Sequence, residues 1–134
     1  LRLLAARIAA RPDAPAAEPL VAAALARERE FGTGIGAGVA IPHVRLERLR
    51  DPVLAYARSA EGIDWDAPDA APVHHVFFLA SSAGAADVHV QILAQIARAM
   101  ARPENLQRLA GGRDAAEVYR TLAAILEPAR PKAG

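Results

Sequence analysis

The sequence lacks cysteine entirely and contains few aromatic residues. With no cysteine among 134 residues, the chain forms no disulfide and offers no thiolate to a metal, which suits a reducing compartment. Phe, Tyr and Trp together account for 4% of the residues, so we expect a core built from aliphatic side chains. The length fits one domain with a core of its own.

An excess of charge and a long apolar run are also missing. The formal net charge is +1, from 16 basic and 15 acidic residues interspersed along the chain, so no basic run points to nucleic acid. No apolar stretch approaches the length of a transmembrane helix, and there is no signal-peptide pattern. We therefore expect a soluble, cytoplasmic domain without a nucleic-acid partner.

Glycine, in contrast, is concentrated in one segment. It occupies every second position from Gly32 to Gly38, where it lets backbone N–H groups approach a bound anion. Residues 39–41 predict a short buried strand, Pro42 ends its hydrogen-bond ladder, and His43 follows just past the strand end. Neutral imidazole has a free lone pair near pH 7, so a histidine placed there can accept a phosphoryl group.

Glycine-rich segments also occur in dinucleotide-binding and nucleoside triphosphate-binding sites, and this segment lacks the features of both. Gly32, Gly34 and Ala37 superficially fit a dinucleotide fingerprint, but that fingerprint requires a strand before the glycines and a helix after them. The Gly-Lys-Ser/Thr ending of a P-loop is absent, so nucleoside triphosphate binding is not supported. On this segment alone, a structural turn with an incidental histidine remains open.

Three separated segments share their order and spacing with one known family. They are Arg27-Glu28 followed by Thr33-Gly34-Ile35-Gly36 and residues 39–43, then residues 62–69 followed by Pro72-Val73, and then residues 87–94. Together they resemble the enzyme IIA domains of the bacterial sugar phosphotransferase system, in the fructose, mannitol and nitrogen-regulatory class. The resemblance covers about residues 1–127. Trp65, in the second segment, is interpreted as a packing residue.

The hydrophobic pattern predicts an α/β fold, a three-layer α/β/α sandwich with a mixed β-sheet. Helices are expected to residue 10 and over 18–30, 86–101, 103–110 and 114–126, and strands over 39–41, 53–58 and 73–80. We expect residues 1–127 to form one domain and residues 128–134 to form a frayed tail. Family members usually have a strand before the first helix, so the resemblance implies that this strand is missing and that the chain was cut from a longer protein.

The resemblance implies a nucleophile, a cation and a second histidine. His43 carries the phosphoryl group. Arg27 occupies the family's arginine position, where a guanidinium pairs with phosphoryl oxygens, although it also lies in an ordinary charged turn. His89 lies three and four residues before Ile92 and Leu93, so it shares their helix face and can orient His43 or hydrogen-bond the phosphate. A histidine satisfied at the edge of the core is the alternative for His89.

The glycine segment supplies the remaining predicted phosphate contacts, from Thr33, Gly34 and Gly36. For Thr33, stabilisation of the turn is an equal alternative to a bond with the phosphate. No metal site is predicted, because the adjacent His74 and His75 face opposite sides of a strand and do not share an ion. No cofactor is predicted either.

As a function, the resemblance implies a phosphocarrier with a phosphohistidine intermediate. An HPr-like carrier protein donates the phosphoryl group to His43, and the domain passes it to a cysteine of a IIB domain in sugar transport or uses it as a regulatory mark. The alternative is a non-catalytic regulatory or protein-binding module attached to a membrane transporter. Val44 stands where the family often has a small residue, which bears on how the partner approaches.

Overall fold

A computed structural model describes residues 2–10, 17–30, 33–47, 49, 51–65, 71–84 and 86–126. Within these ranges the helices are α1 (Arg2–Ala9), α2 (Ala17–Glu30), α3 (Ala86–Met100), α4 (Pro103–Ala110) and α5 (Ala115–Leu126). The strands are β1 (Gly34–Gly36), β2 (Val39–Ala40), β3 (His43–Leu46), β4 (Val53–Ile63) and β5 (Val73–Ser82). The predicted tail, residues 128–134, lies outside the described residues.

The strands form one mixed sheet organised around β5. Strand β1 pairs with β2, and β2, β3 and β4 each pair with β5. Strands β2 and β3 run parallel to β5, whereas β4 is antiparallel to it and β1 is antiparallel to β2. The apolar run of β5 is buried almost from end to end, as its composition predicts for a central strand. The predicted α/β class with a mixed sheet is therefore confirmed.

The segment around Pro42 differs from the prediction. The N–H groups of His75 and Leu79 donate to the carbonyls of Gly38 and Pro42, each over 2.9 Å. Because these donors are four residues apart, they point to the same edge of β5, so β2 and β3 follow one another along that edge. His43 follows the end of β2, as the sequence predicts, but it also begins β3, a strand that was not predicted. Pro42 lacks an N–H, but its carbonyl still joins the ladder.

The glycine segment forms a hairpin instead of an open loop. Strands β1 and β2 pair across a tight turn in which Ala37 and Gly38 have φ angles of 57° and 77°. Consecutive positive φ angles fit the twist of a two-residue hairpin turn, and Gly38 adopts its angle without strain. The hairpin was not predicted, because a three-residue strand rich in glycine has no recognisable alternation.

The chain divides into two compact units, Leu1–Gln91 and Ile92–Gly134. In the first unit, one face of the sheet packs against α1 and α2. Side chains from all three elements share this core, namely Leu4, Ile8, Leu20, Val21, Ala24, Val76, Phe78 and Ala80. Alternate residues of β5 point to this face, and Val44 of β3 joins them.

The second unit contains the rest of α3 together with α4 and α5. Pro103 stands in the first turn of α4, where its missing N–H costs nothing. The Asn105 side-chain amide donates to the carbonyl of Ala99 over 2.8 Å, and the Gln95 amide donates to the carbonyl of Leu126 over 2.5 Å. Across the described ranges, no helix is both long and apolar enough to cross a membrane.

Candidate functional site

The imidazole of His43 is held in one orientation by the backbone just before it. Nδ1 lies 2.7 Å from the carbonyl oxygen of Ile41, the residue between β2 and Pro42. A carbonyl only accepts hydrogen bonds, so Nδ1 carries the proton and donates it. The lone pair of the neutral ring is therefore on Nε2.

Strand alternation places a cation beside His43. Arg45 is two residues further along β3, so its side chain leaves the sheet on the same face as His43, whereas Val44 points into the core. In the register of β3 with β5, Arg45 pairs with Ser81. Directly paired residues of parallel strands share a face, so the Ser81 hydroxyl lies on this side of the sheet as well.

His89 brings a second imidazole to this face from the first turn of α3. Its ring centroid lies 5.2 Å from that of His43, with 57° between the ring planes. The side chain is 2% exposed, and its Nδ1 is hydrogen-bonded to the Ser81 hydroxyl. Burial is the main cause that lowers the pKa of His89 to about 4, with smaller electrostatic contributions from His43, Arg45 and Arg27. His89 is therefore neutral at pH 7.

These side chains line a cavity of about 400 Å³. Its lining residues are Ala23 and Arg27 from α2, His43, Val44 and Arg45 from β3, and His89 from α3. Two guanidinium groups and a neutral histidine thus line the cavity together with the ring of His43. Guanidinium is suited to phosphate because it is planar, permanently charged and able to donate two parallel hydrogen bonds. The arrangement can accommodate a small dianion next to Nε2.

The lining brings together three of the residues predicted from sequence, His43, His89 and Arg27, and leaves out Thr33, Gly34 and Gly36. Gly34 and Gly36 pair with β2 in the hairpin. Phosphate binding by these last three residues stays a prediction.

Thr33 is engaged by a carboxylate from the end of α2. It is 5% exposed, and its hydroxyl donates to Oε1 of Glu28 over 3.0 Å while its backbone N–H donates to Oε2 over 2.9 Å. The indole N–H of Trp65 donates to Oε1 of Glu28 over 2.5 Å. Glu28 therefore connects α2, the residue before β1 and the segment after β4. Glu28 is adjacent to Arg27, so its hydrogen bonds also hold the last part of α2, which carries the Arg27 side chain.

Arg45 and Glu28 were not predicted from the sequence as site residues, and Trp65 was predicted only to pack. Arg45 could have been found from the alternation with His43 if β3 had been recognised as a strand. The partners of Glu28 are 5 and 37 residues away along the chain, so no local pattern indicates that its carboxylate joins them.

The other two histidines are bonded to β4. Nδ1 of His74 donates to the carbonyl of Ser59 over 2.8 Å, and Nδ1 of His75 lies 2.6 Å from the Tyr56 hydroxyl. Burial lowers the pKa of His75, with smaller contributions from His74 and Arg58, and burial raises the pKa of Tyr56 to about 12. In the part of the chain that the structure describes, no group of three or more His, Asp or Glu side chains could hold a metal ion.

A comparison with protein families decides what kind of domain this is. The family model for the phosphoenolpyruvate-dependent sugar phosphotransferase system, EIIA 2, matches residues 1–125. The chain belongs to this family. Among curated proteins, this enzyme IIA domain is similar to the fructose-specific EIIA component of Haloferax volcanii, with 36% identity over 105 residues, 78% of this chain and 68% of that protein. It spans 14% of the length of the fructose-specific EIIABC component of Bacillus subtilis and 65% of the length of the nitrogen regulatory protein of Bradyrhizobium diazoefficiens.

Solved structures of the family share the fold of this enzyme IIA domain. The crystal structure of the nitrogen regulatory protein IIA-Ntr from Neisseria meningitidis matches with a TM-score of 0.81 and 30% identity, covering 93% of this chain and 84% of that one. The mannitol enzyme IIA of Escherichia coli, solved in complex with phosphorylated enzyme IIB, matches with a TM-score of 0.74 and 21% identity over 92% of this chain and 84% of that one. The second likeness concerns the fold alone.

Proposed function

We propose that this domain is a phosphocarrier in which Nε2 of His43 accepts a phosphoryl group from the phosphohistidine of an HPr-like protein. The domain then passes the group to a cysteine of a IIB domain or holds it as a regulatory mark. One observation carries the proposal: the His43 ring, with its Nδ1 proton held by Ile41, lines a cavity together with Arg27 and Arg45.

The proposed step balances without a cofactor. The Nε2 lone pair attacks the phosphorus atom, a new N–P bond forms, and the N–P bond to the donor histidine breaks with its electron pair returning to the donor ring. The His43 ring keeps its Nδ1 proton and becomes positively charged. The Ile41 carbonyl, 2.7 Å from Nδ1, stabilises that charge through a charge-assisted hydrogen bond.

The surrounding groups act on the charge of the phosphoryl oxygens. Arg27 from α2 and Arg45 from β3 neutralise it, and both are in place before the group arrives, so little reorganisation is needed. His89 is neutral and orients the His43 ring or donates to an oxygen. Its position in the first turn of α3 also puts the positive end of the helix dipole on this side of the cavity.

The proposal covers both sugar transport and regulation, because fructose-specific and nitrogen regulatory proteins are both similar to this chain. In both cases the domain works in the cytoplasm and contacts other proteins. The acceptor distinguishes the two: a IIB cysteine takes the group onward in transport, whereas a regulated target responds to whether His43 is phosphorylated.

The purified chain mixed with phosphorylated HPr tests the proposal. We expect intact-mass spectrometry to show the addition of one phosphoryl group that is lost in acid and retained in base, because an N–P bond behaves in this way. A known enzyme IIA domain labelled in parallel is the control. If that control is labelled and this chain is not, the domain is the non-catalytic module described as the alternative, and the phosphocarrier proposal is wrong.

A further inference from the structure

The Ser81 hydroxyl and His89 form a buried pair behind the cavity. Ser81 is 1% exposed near the end of β5, and His89 is 2% exposed in the first turn of α3. A hydrogen bond joins Oγ of Ser81 to Nδ1 of His89. Within the described ranges, this is the one hydrogen bond of the Ser81 side chain. The pair lies on the sheet face that carries His43 and Arg45.

The position of one proton in this pair follows from hydrogen-bond accounting. If Nδ1 of His89 carried the proton, it would donate to Oγ, and the hydroxyl hydrogen of Ser81 would be buried without an acceptor. A buried donor left without an acceptor is costly and rare. If instead Ser81 donates to the Nδ1 lone pair, the hydroxyl hydrogen and Nδ1 are both paired, and the ring proton of neutral His89 is on Nε2.

We propose that Ser81 is a positioning residue that fixes His89 in the Nε2–H form, so that His89 offers a hydrogen-bond donor to the phosphoryl group on His43. This inference rests on the proposed function. Because Nδ1 is bonded to Ser81 at the sheet, the ring edge with Nε2 is the one that faces the cavity, which His89 lines. A lone pair at that place would repel the phosphoryl oxygens, whereas an N–H group attracts them.

Burial supports the same assignment. It is the main reason that the pKa of His89 is near 4, so at neutral pH the ring has one proton, which is on either Nδ1 or Nε2. A charged ring would donate from both nitrogens and would need no partner to select one of them. Ser81 thus sets the direction of a neutral donor that the helix brings within 5.2 Å of His43, measured between ring centroids.

Nuclear magnetic resonance tests the proton assignment without any phosphoryl transfer. In the ¹⁵N-labelled chain at pH 7, long-range ¹H–¹⁵N correlations of the imidazoles report which nitrogen of each histidine carries the proton. We expect the Nε2–H form for His89, and a loss of this preference in Ser81→Ala. The Nδ1–H form in the unmodified chain would overturn the proposal, and this measurement does not depend on whether Ser81→Ala folds.

Transfer rates test the consequence for the site. We expect Ser81→Ala to slow onward transfer about tenfold, which corresponds to about 1.4 kcal/mol of barrier, and Ser81→Thr, which keeps the hydroxyl, to recover most of the rate. Ser82→Ala is the matched control, because Ser82 is the next residue of β5 and faces the other way. In a His89→Ala background, Ser81→Ala should slow transfer no further, since there is no ring left to orient.

The possible outcomes distinguish the positioning role of Ser81 from the phosphocarrier function. An equal additional loss from Ser81→Ala in the His89→Ala background would show that Ser81 acts by another route, and the positioning role would be wrong. If His89 is in the Nε2–H form but neither the unmodified chain nor any variant is phosphorylated, the phosphocarrier proposal is wrong, while Ser81 still orients the His89 ring. If transfer is normal and His89 is in the Nδ1–H form, the phosphocarrier function stands and the inference about Ser81 falls.

Discussion

The four histidines of this chain form two pairs, and the pairs differ in what surrounds them. His74 and His75 are neighbours in sequence, but each is bonded to a different residue of β4. His43 and His89 come from separate elements, yet their ring centroids lie 5.2 Å apart beside a cavity. Adjacency in sequence therefore has little bearing on reactivity. An imidazole becomes a candidate nucleophile where one nitrogen is held by a carbonyl and the other faces a space lined by cations.

The largest expected effect is at His43 itself. His43→Ala should abolish labelling by phosphorylated HPr, because the proposed nucleophilic nitrogen is removed. His74→Ala is the matched control, since the half-buried His74 ring is also bonded through Nδ1 to a backbone carbonyl but does not line the cavity. Intact-mass spectrometry of both variants measures the difference. Labelling that survives in His43→Ala would move the nucleophile to another residue.

Arg27 should have the next largest effect. Because lysine cannot reproduce the bidentate geometry of a guanidinium, we expect Arg27→Lys to slow transfer by about one to two orders of magnitude, roughly 1.4 to 3 kcal/mol of barrier. The melting temperature should hardly change, since Arg27 is exposed. Arg120→Lys, at an exposed position of α5, is the control. Normal transfer combined with a large loss of stability would mean that Arg27 acts in the fold and not in the chemistry.

At His89 we expect the two half-reactions to respond differently. His89→Ala removes a neutral group that orients His43 or the phosphate, while the N–P bond to His43 needs no second imidazole. Acceptance from HPr should therefore fall modestly and onward transfer by about tenfold or more, at least ~1.4 kcal/mol of barrier. Single-turnover rates of each half-reaction measure this. Unchanged rates in both directions would leave His89 as a packing residue, and complete loss of acceptance would make it a candidate nucleophile.

The smallest effect on phosphoryl transfer at pH 7 is expected from a property of the folded chain, its stability at acid pH, which concerns one histidine of each pair. Burial lowers the pKa of both His89 and His75 below the ordinary 6.5, so between that value and the lower pKa the unfolded chain binds protons that the folded chain does not. The free energy of unfolding should therefore fall as the pH is lowered from about 6.5 towards 4, by at most about 1.4 kcal/mol per pH unit for each proton.

Denaturant titrations across this pH range measure the slope, and His89→Gln and His75→Gln should each make it shallower. The two substitutions compare the pairs directly, because both histidines are buried but only His89 lines the cavity. A slope that neither substitution changes would show that other groups control stability at acid pH.

Much of the fold could be predicted because it depends on local patterns. The apolar run of β5, the helical period of α3 and Pro103 at the start of α4 each indicate their element without reference to the rest of the chain. Strands β1 and β3 could not be predicted in this way. Each is three or four residues long, and each exists because a neighbouring strand accepts its hydrogen bonds.

The same distinction between local patterns and tertiary contacts applies to the candidate site. The sequence by itself determined the candidate residues Arg27, His43 and His89, because the proposed phosphoryl transfer needs a nucleophile and charge-stabilising donors in any structure. Only the tertiary structure decided which nitrogen of His43 keeps its lone pair, that Arg45 stands beside it, that Glu28 engages Thr33 and that Ser81 bonds to His89. Those features depend on strand register and on contacts between residues far apart in the chain, and a hydrogen bond requires atomic positions that no local sequence pattern specifies.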